Sequence, residues 1–156
     1  MQTQGTDIPG VIAYPPLIFA ACLGLGLGLH WLKPIPLSPP APLRVVGIVL
    51  LVASATLSLW ASAVMRRAET NIRPDRPATT VVTAGPFRFT RNPLYLSLCL
   101  LNAGIALVLS GLIPLLMTVV LVTILQRGVI VREERYLKAK FGAVYSDYSC
   151  RVRRWL

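Results

Sequence analysis

The sequence predicts an all-α integral membrane protein: four transmembrane helices, the last two a tight hairpin, followed by a C-terminal cytoplasmic helical segment. Three observations lead there. Apolar residues make up 54% of the chain and charged residues only 14%, where a soluble domain carries about a quarter. The apolar residues come in blocks close to the ~20 helical residues that cross a hydrocarbon core. The basic residues gather outside those blocks and mostly on one side of the implied membrane. A chain of 156 residues is enough for a single domain over 1–156.

Residues 1–14 read as a short, weakly ordered leader, with Tyr14 marking the interface. The first ten residues carry no Lys or Arg, so no cleavable signal is expected. The first span covers residues 15–32; its Gly24, Gly26 and Gly28 permit close helix contact. Residues 33–42, KPIPLSPPAP, hold five prolines and are expected to form an extended external connector. The second span covers 44–65 and is stopped by Arg66 and Arg67.

Residues 66–92 form a polar segment with six arginines, too long for a simple turn. A loop of that length is functional or disordered, and its aromatic and β-branched residues favour function. TTVVT at 79–83 reads as extended, and Gly85-Pro86 as a turn. Asn92 is placed to cap a helix with Pro93 in its first turn. The third span covers 94–109. Ser110-Gly111 breaks it, and the fourth covers 112–131, leaving a hairpin with about two residues between its arms. The helical pattern runs on through EERYLKAKF to Gly142, a good C-terminal stop. Glu134 and Lys138 are spaced as an i,i+4 pair. In the tail, 132–156, Tyr145 and Tyr148 share a helix face, and Trp155 reads as a membrane-surface anchor.

Four spans put both termini on one side. The first connector carries two Lys or Arg; the segment 66–92 and the region from Arg127 onward carry fourteen. The positive-inside rule then places the middle loop, the tail and both termini in the cytoplasm of a multi-pass cell-membrane protein. The net charge of +10 follows from that placement, with membrane lipids as counter-charge, and nucleic acid is not implied. Cys22, Cys99 and Cys150 have no CxxC spacing, and His30 sits at an interface, so neither a disulfide nor a metal site is expected. There is no Gly-rich phosphate loop.

The hairpin brings Arg91, Asn92 and Tyr95, at the start of span three, beside Glu133 and Glu134, just after span four. Such a site offers arginines for an anion, carboxylates for an ammonium or a ribose diol, and aromatics for a flat ring or a sulfonium. Those are the handles of a nucleoside–amino acid cofactor. On their own, arginines after a span are ordinary topology signals, and a Glu-Glu pair on an exposed turn is ordinarily solvated.

At these residues the chain resembles the isoprenylcysteine carboxyl methyltransferase family, with its bacterial relatives and the related phospholipid N-methyltransferases. The family pattern is Leu-Val-Thr-x-Gly-x-Tyr, then Arg-His-Pro-x-Tyr, a Glu-Glu pair and Phe-Gly-x-x-Tyr-x-x-Tyr. Here these read VVTAGPF at 81–87, Arg91-Asn92-Pro93-Leu94-Tyr95, Glu133-Glu134, and FGAVYSDY at 141–148. The resemblance covers roughly the C-terminal half. It implies a membrane-embedded methyltransferase using S-adenosyl-L-methionine, enclosed at the cytoplasmic end of the helices under the C-terminal segment. It further implies cofactor contacts at Thr79, Thr80, Val81, Val82, Phe87, Asn92, Pro93, Leu94, Tyr95 and Glu133, with Glu133, Glu134 and Arg91 as catalytic candidates.

Two positions depart from the pattern. The family histidine is Asn92, which donates a hydrogen bond but does not titrate near neutral pH. A substrate-binding arginine of eukaryotic members, four residues before the glutamate, is Val129, which leaves Arg127 or Arg132 to substitute. The implied substrate is lipophilic and drawn from the bilayer, with a carboxylate, a phospholipid or another small lipid as methyl acceptor. A non-catalytic scaffold of the same fold is the reading from another class.

Overall fold

A computed structural model describes residues 8–38, 40–72 and 76–156; the first half of the leader, Pro39 of the proline-rich connector and residues 73–75 of the arginine-rich loop lie outside these. Among the described residues six α-helices follow one another: α1 Pro15–Leu32, α2 Pro40–Arg67, α3 Pro93–Val108, α4 Leu112–Leu125, α5 Val131–Phe141 and α6 Ala143–Arg151. A 3-10 turn, Gly85–Arg88, precedes α3, and a π turn, Gln126–Ile130, joins α4 to α5 without a break. Among the described residues there is no strand, only an isolated bridge between Pro36 and Gly111.

Among the described residues three helices are long and apolar enough to cross a membrane: Pro15–Leu32, Ala41–Arg67 and the continuous Leu112–Phe141, whose last turns, in α5, are polar. The α3 helix has 16 residues, which at ~1.5 Å per residue reach about 24 Å, less than the ~30 Å core. The protein is therefore a helical membrane protein.

The α2 helix starts at Pro40, inside the stretch expected to be an extended connector. The reason is local: proline is tolerated in the first helical turn, where its missing N–H would have had no partner. The rest of the connector is pinned to the α3–α4 turn, where the Leu37 N–H donates to the Ser110 carbonyl at 2.7 Å and the Leu112 N–H to the Ile35 carbonyl at 3.0 Å. Three residues, Leu109 to Gly111, separate α3 from α4, one more than expected.

Helices α2 and α3 pack against each other, as do α1 and α4, and α3 and α4. Small residues bring α2 onto α3: a Cβ at Gly47 would lie 2.8 Å from the Gly104 carbonyl oxygen. The Ser54 hydroxyl donates across the same contact to the Ser97 carbonyl at 2.7 Å. Asn102, fully buried, ties α3 to α4 by donating to the Pro114 carbonyl at 3.1 Å and to Thr118 Oγ1 at 2.9 Å. One apolar cluster joins Ile18 and Cys22 of α1, Cys99 of α3, and Leu121, Leu125 and Val129; a second, at the arginine-rich end, joins Ala61, Phe87, Tyr145 and Tyr148.

The π turn is the element that periodicity did not foretell. Ile12 of the leader and Trp155 of the tail both meet it. The Ile12 N–H donates to the Gly128 carbonyl at 3.2 Å, and any Cβ at Gly128 would run into the Ile12 side chain. The Trp155 Nε1–H donates to Gln126 Oε1 at 2.8 Å. Trp155 therefore packs against the helix core instead of serving as a free surface anchor. The second half of the leader is likewise tied down.

Candidate functional site

The site lies at the arginine-rich end, where α3 begins and α5 follows the π turn. Neighbouring residues on a helix point about 100° apart, so Glu133 and Glu134 face different partners. Glu133 turns toward α3 and accepts a hydrogen bond from the Tyr95 hydroxyl at 2.6 Å. Burial pushes its carboxyl up to about 7; the Tyr95 hydrogen bond opposes that rise, and the neighbouring Glu134 adds to it. Glu134 turns toward the C-terminal segment. Arg154 grips it with two donors, Nε to Oε1 at 2.9 Å and Nη2 to Oε2 at 2.6 Å, and Arg91 Nη2 lies 3.3 Å from Oε1. The expected pairing of Glu134 with Lys138 gives way to this one, because two guanidiniums meet the largely buried carboxylate.

The C-terminal segment closes over the start of α3. The Arg91 N–H donates to the Arg153 carbonyl at 3.0 Å. Thr90 Oγ1 and Asn92 Nδ2 both donate to the Arg154 carbonyl, at 3.1 and 2.9 Å. Asn92 occupies the N-cap position of α3, but its side chain makes no capping bond. Its amide is directed to the tail instead. Val129 is fully buried in the apolar cluster, so that position offers nothing to a substrate in this chain. Of the two arginines proposed to substitute, Arg132 donates Nη1 to the Gly10 carbonyl at 2.9 Å.

The loop before α3 is held against α5 and α6. The Ala78 N–H donates to the Tyr136 hydroxyl at 3.2 Å, and the Tyr148 hydroxyl donates to the Phe87 carbonyl at 2.8 Å. The Tyr145 and Tyr148 rings meet edge to face, centroids 6.0 Å apart. Burial pushes the Tyr145 hydroxyl up to about 12, with Glu134 reinforcing and Arg91 opposing the rise.

These elements line a cavity of about 140 Å³. Its walls include Thr80, Val81, Val82, Phe87, Arg91, Asn92, Pro93, Leu94, Tyr95, Glu133 and Glu134. Thr79 is absent from the wall: its backbone N–H and its hydroxyl are turned back to Thr70 Oγ1 and the Glu69 carbonyl. Sequence reasoning assigned no site role to several residues that also line it: Pro9 of the leader, Met65 and Thr70 near the end of α2, Arg76, Tyr136, and the Tyr145–Tyr148 pair. It also passed over Arg154, whose guanidinium sits among tail charges that read as topology signals.

The family profile for phospholipid methyltransferases matches residues 43–144. The chain belongs to the phospholipid methyltransferase family. A 63-residue stretch is 38% identical to an uncharacterised protein of Haemophilus influenzae (strain ATCC 51907 / DSM 11121 / KW20 / Rd), covering 40% of this chain and all of that protein. The phospholipid methyltransferase match takes in the Arg91–Tyr95 corner and the Glu133-Glu134 pair. It leaves out the leader segment against the π turn, the two tyrosines of α6 and the Arg154 clasp. The family makes methyl transfer to a lipid-like acceptor the broad chemistry of this membrane protein.

Proposed function

We propose that the protein transfers a methyl group from S-adenosyl-L-methionine to a lipophilic acceptor taken from the bilayer, and that the acceptor is the amine of a phospholipid or small lipid. The observation that carries this reading is the shared cavity: the Arg91–Tyr95 corner and Glu133 line one pocket, joined by the 2.6 Å Tyr95–Glu133 hydrogen bond. Its donor set fits the cofactor. A buried carboxylate suits a cation or a diol, a guanidinium suits a carboxylate, and Phe87, Tyr145 and Tyr148 present aromatic surface. Thr80, Val81, Val82, Asn92, Pro93 and Leu94 supply the remaining wall, and Thr79 supports it from behind.

The cofactor, when bound, supplies a methyl already activated on a sulfonium. The protein's own work is alignment, exclusion of water and handling of a proton. Arg91 and Arg154 hold Glu134 as a bridge that fastens the tail over the cavity. Glu133 is then the carboxylate left to accept the proton that a lipid ammonium sheds before its nitrogen can attack. A carboxylate acceptor, as in the isoprenylcysteine enzymes, would need no base; the position of Glu133 and the burial of Val129 both favour an amine. In this reading α3 completes four crossings, both termini lie in the cytoplasm, and the acceptor reaches the site sideways between helices.

The test is direct. Purified protein binds S-adenosylmethionine in calorimetry, and Glu133→Gln weakens that binding. Unchanged affinity in the variant removes Glu133 from the site. Lipid masses that rise in methyl increments at nitrogen identify amine methylation; a single increment lost on mild base treatment identifies an ester instead. A wild-type protein that binds no cofactor is a scaffold, and the catalytic reading falls.

A further inference from the structure

A second cavity of about 570 Å³ lies beside the first. Its walls are Ile8, Pro9 and Gly10 from the leader, and Arg127, Arg132, Arg135 and Tyr136 from the π turn and α5, over Val131 and Ala139. The two cavities share Pro9 and Tyr136. Three arginines line this space, and no carboxylate is among the described residues that line it. The leader wall is fixed in place by the Arg132–Gly10 and Ile12–Gly128 hydrogen bonds. Residues 8–10 also lie outside the stretch matched by the family.

The surroundings supply the other half of an amphiphile site. Leu116, Val120, Thr123 and Arg127 recur at helical spacing along one exposed face of α4 and the π turn. That face is apolar at Leu116 and Val120 and ends at Arg127, which lines the cavity. A planar guanidinium fork matches phosphate oxygens in a two-point contact.

We propose that this second cavity binds the phosphate of a lipid headgroup through Arg127 and Arg135. The acyl chains then lie along the exposed face of α4, and the rest of the headgroup points past Pro9 and Tyr136 toward the first cavity. The last clause rests on the methyl-transfer reading; phosphate binding does not, and it is tested alone.

The probe is dioctanoyl phosphatidylglycerol, which carries a phosphodiester but no amine. Binding to the full-length protein in detergent is measured by native mass spectrometry, against dioctanoylglycerol and against inorganic phosphate as competitor. The wild type holds the phospholipid at least about tenfold more tightly than the neutral diglyceride. The paired variant Arg127→Ala/Arg135→Ala loses that preference while its helical content and its S-adenosylhomocysteine affinity are kept. Arg135→Gln alone, on the exposed side of α5, repeats the test if the double variant unfolds.

Equal binding of the two lipids, or an unchanged preference in the variants, overturns the site. Displacement of the lipid by millimolar inorganic phosphate overturns the lipid source, since the site would then read a free anion. A wild type that prefers the phospholipid yet transfers no methyl keeps this site and refutes the catalytic reading. One that transfers methyl without the preference does the reverse.

Discussion

At the scale of single residues, Tyr95 tunes Glu133 through their 2.6 Å hydrogen bond. Burial raises the carboxyl to about 7, and the Tyr95 hydroxyl holds that rise in check. A proton acceptor must be ionised, so activity falls as pH drops below about 7 and levels above it. Removing the hydroxyl removes the restraint. Tyr95→Phe therefore raises the Glu133 carboxyl further, and the acidic limb of the pH–rate profile moves to higher pH. An unmoved limb in Tyr95→Phe separates the limb from Glu133. Glu133→Gln abolishes the limb and lowers kcat by about 100-fold or more, the usual contribution of a positioned base. Arg154→Ala acts differently. It leaves Glu134 to Arg91 alone and loosens the tail, so cofactor affinity drops, by about tenfold for the loss of a charge-assisted pair, while the pH limb stays where it was.

At the scale of elements, the π turn is the joint on which the site is assembled. Gly128 admits the Ile12 side chain and offers its carbonyl to the Ile12 N–H. Gly128→Val fills that space and forces the leader outward. Overpacking of this kind costs about 1–3 kcal/mol, and limited proteolysis then cuts the leader in the variant before it cuts the wild type. The sequence spoke plainly where composition alone decides structure. The α1 helix has the bounds its apolar block predicts, and Gly142, with φ of 53°, ends α5 where a left-handed stop was expected. It was silent where tertiary contacts decide. No periodic pattern marks a π turn whose cause is a leader packed on one glycine. Nothing in Asn92 foretold that its amide would hold the tail instead of capping α3. Thr79 belongs to a stretch that lines the cavity, but its own bonds to Glu69 and Thr70 turn it away.

At the scale of the whole molecule, charge placement predicts the topology. Fourteen of the sixteen Lys and Arg lie in residues 66–92 or from Arg127 onward. Cys150 is exposed in α6, whereas Cys22 and Cys99 are buried among helices, so the native cysteines already form a topology probe. A membrane-impermeant maleimide labels Cys150 in inverted vesicles and leaves it unlabelled in intact cells; labelling in intact cells would place the tail, and the cavity with it, on the outer face. The two-cavity arrangement fits the expected topology, in which a lipid headgroup of the inner leaflet would lie level with the arginine-rich end. The most direct measurement is transfer of an isotopically labelled methyl from S-adenosylmethionine by the purified protein to lipids of a membrane extract. The account predicts label on the nitrogen of a lipid headgroup with the wild type and almost none with Glu133→Gln. Label that appears equally with both proteins, or in no lipid at all although cofactor is bound, would contradict it.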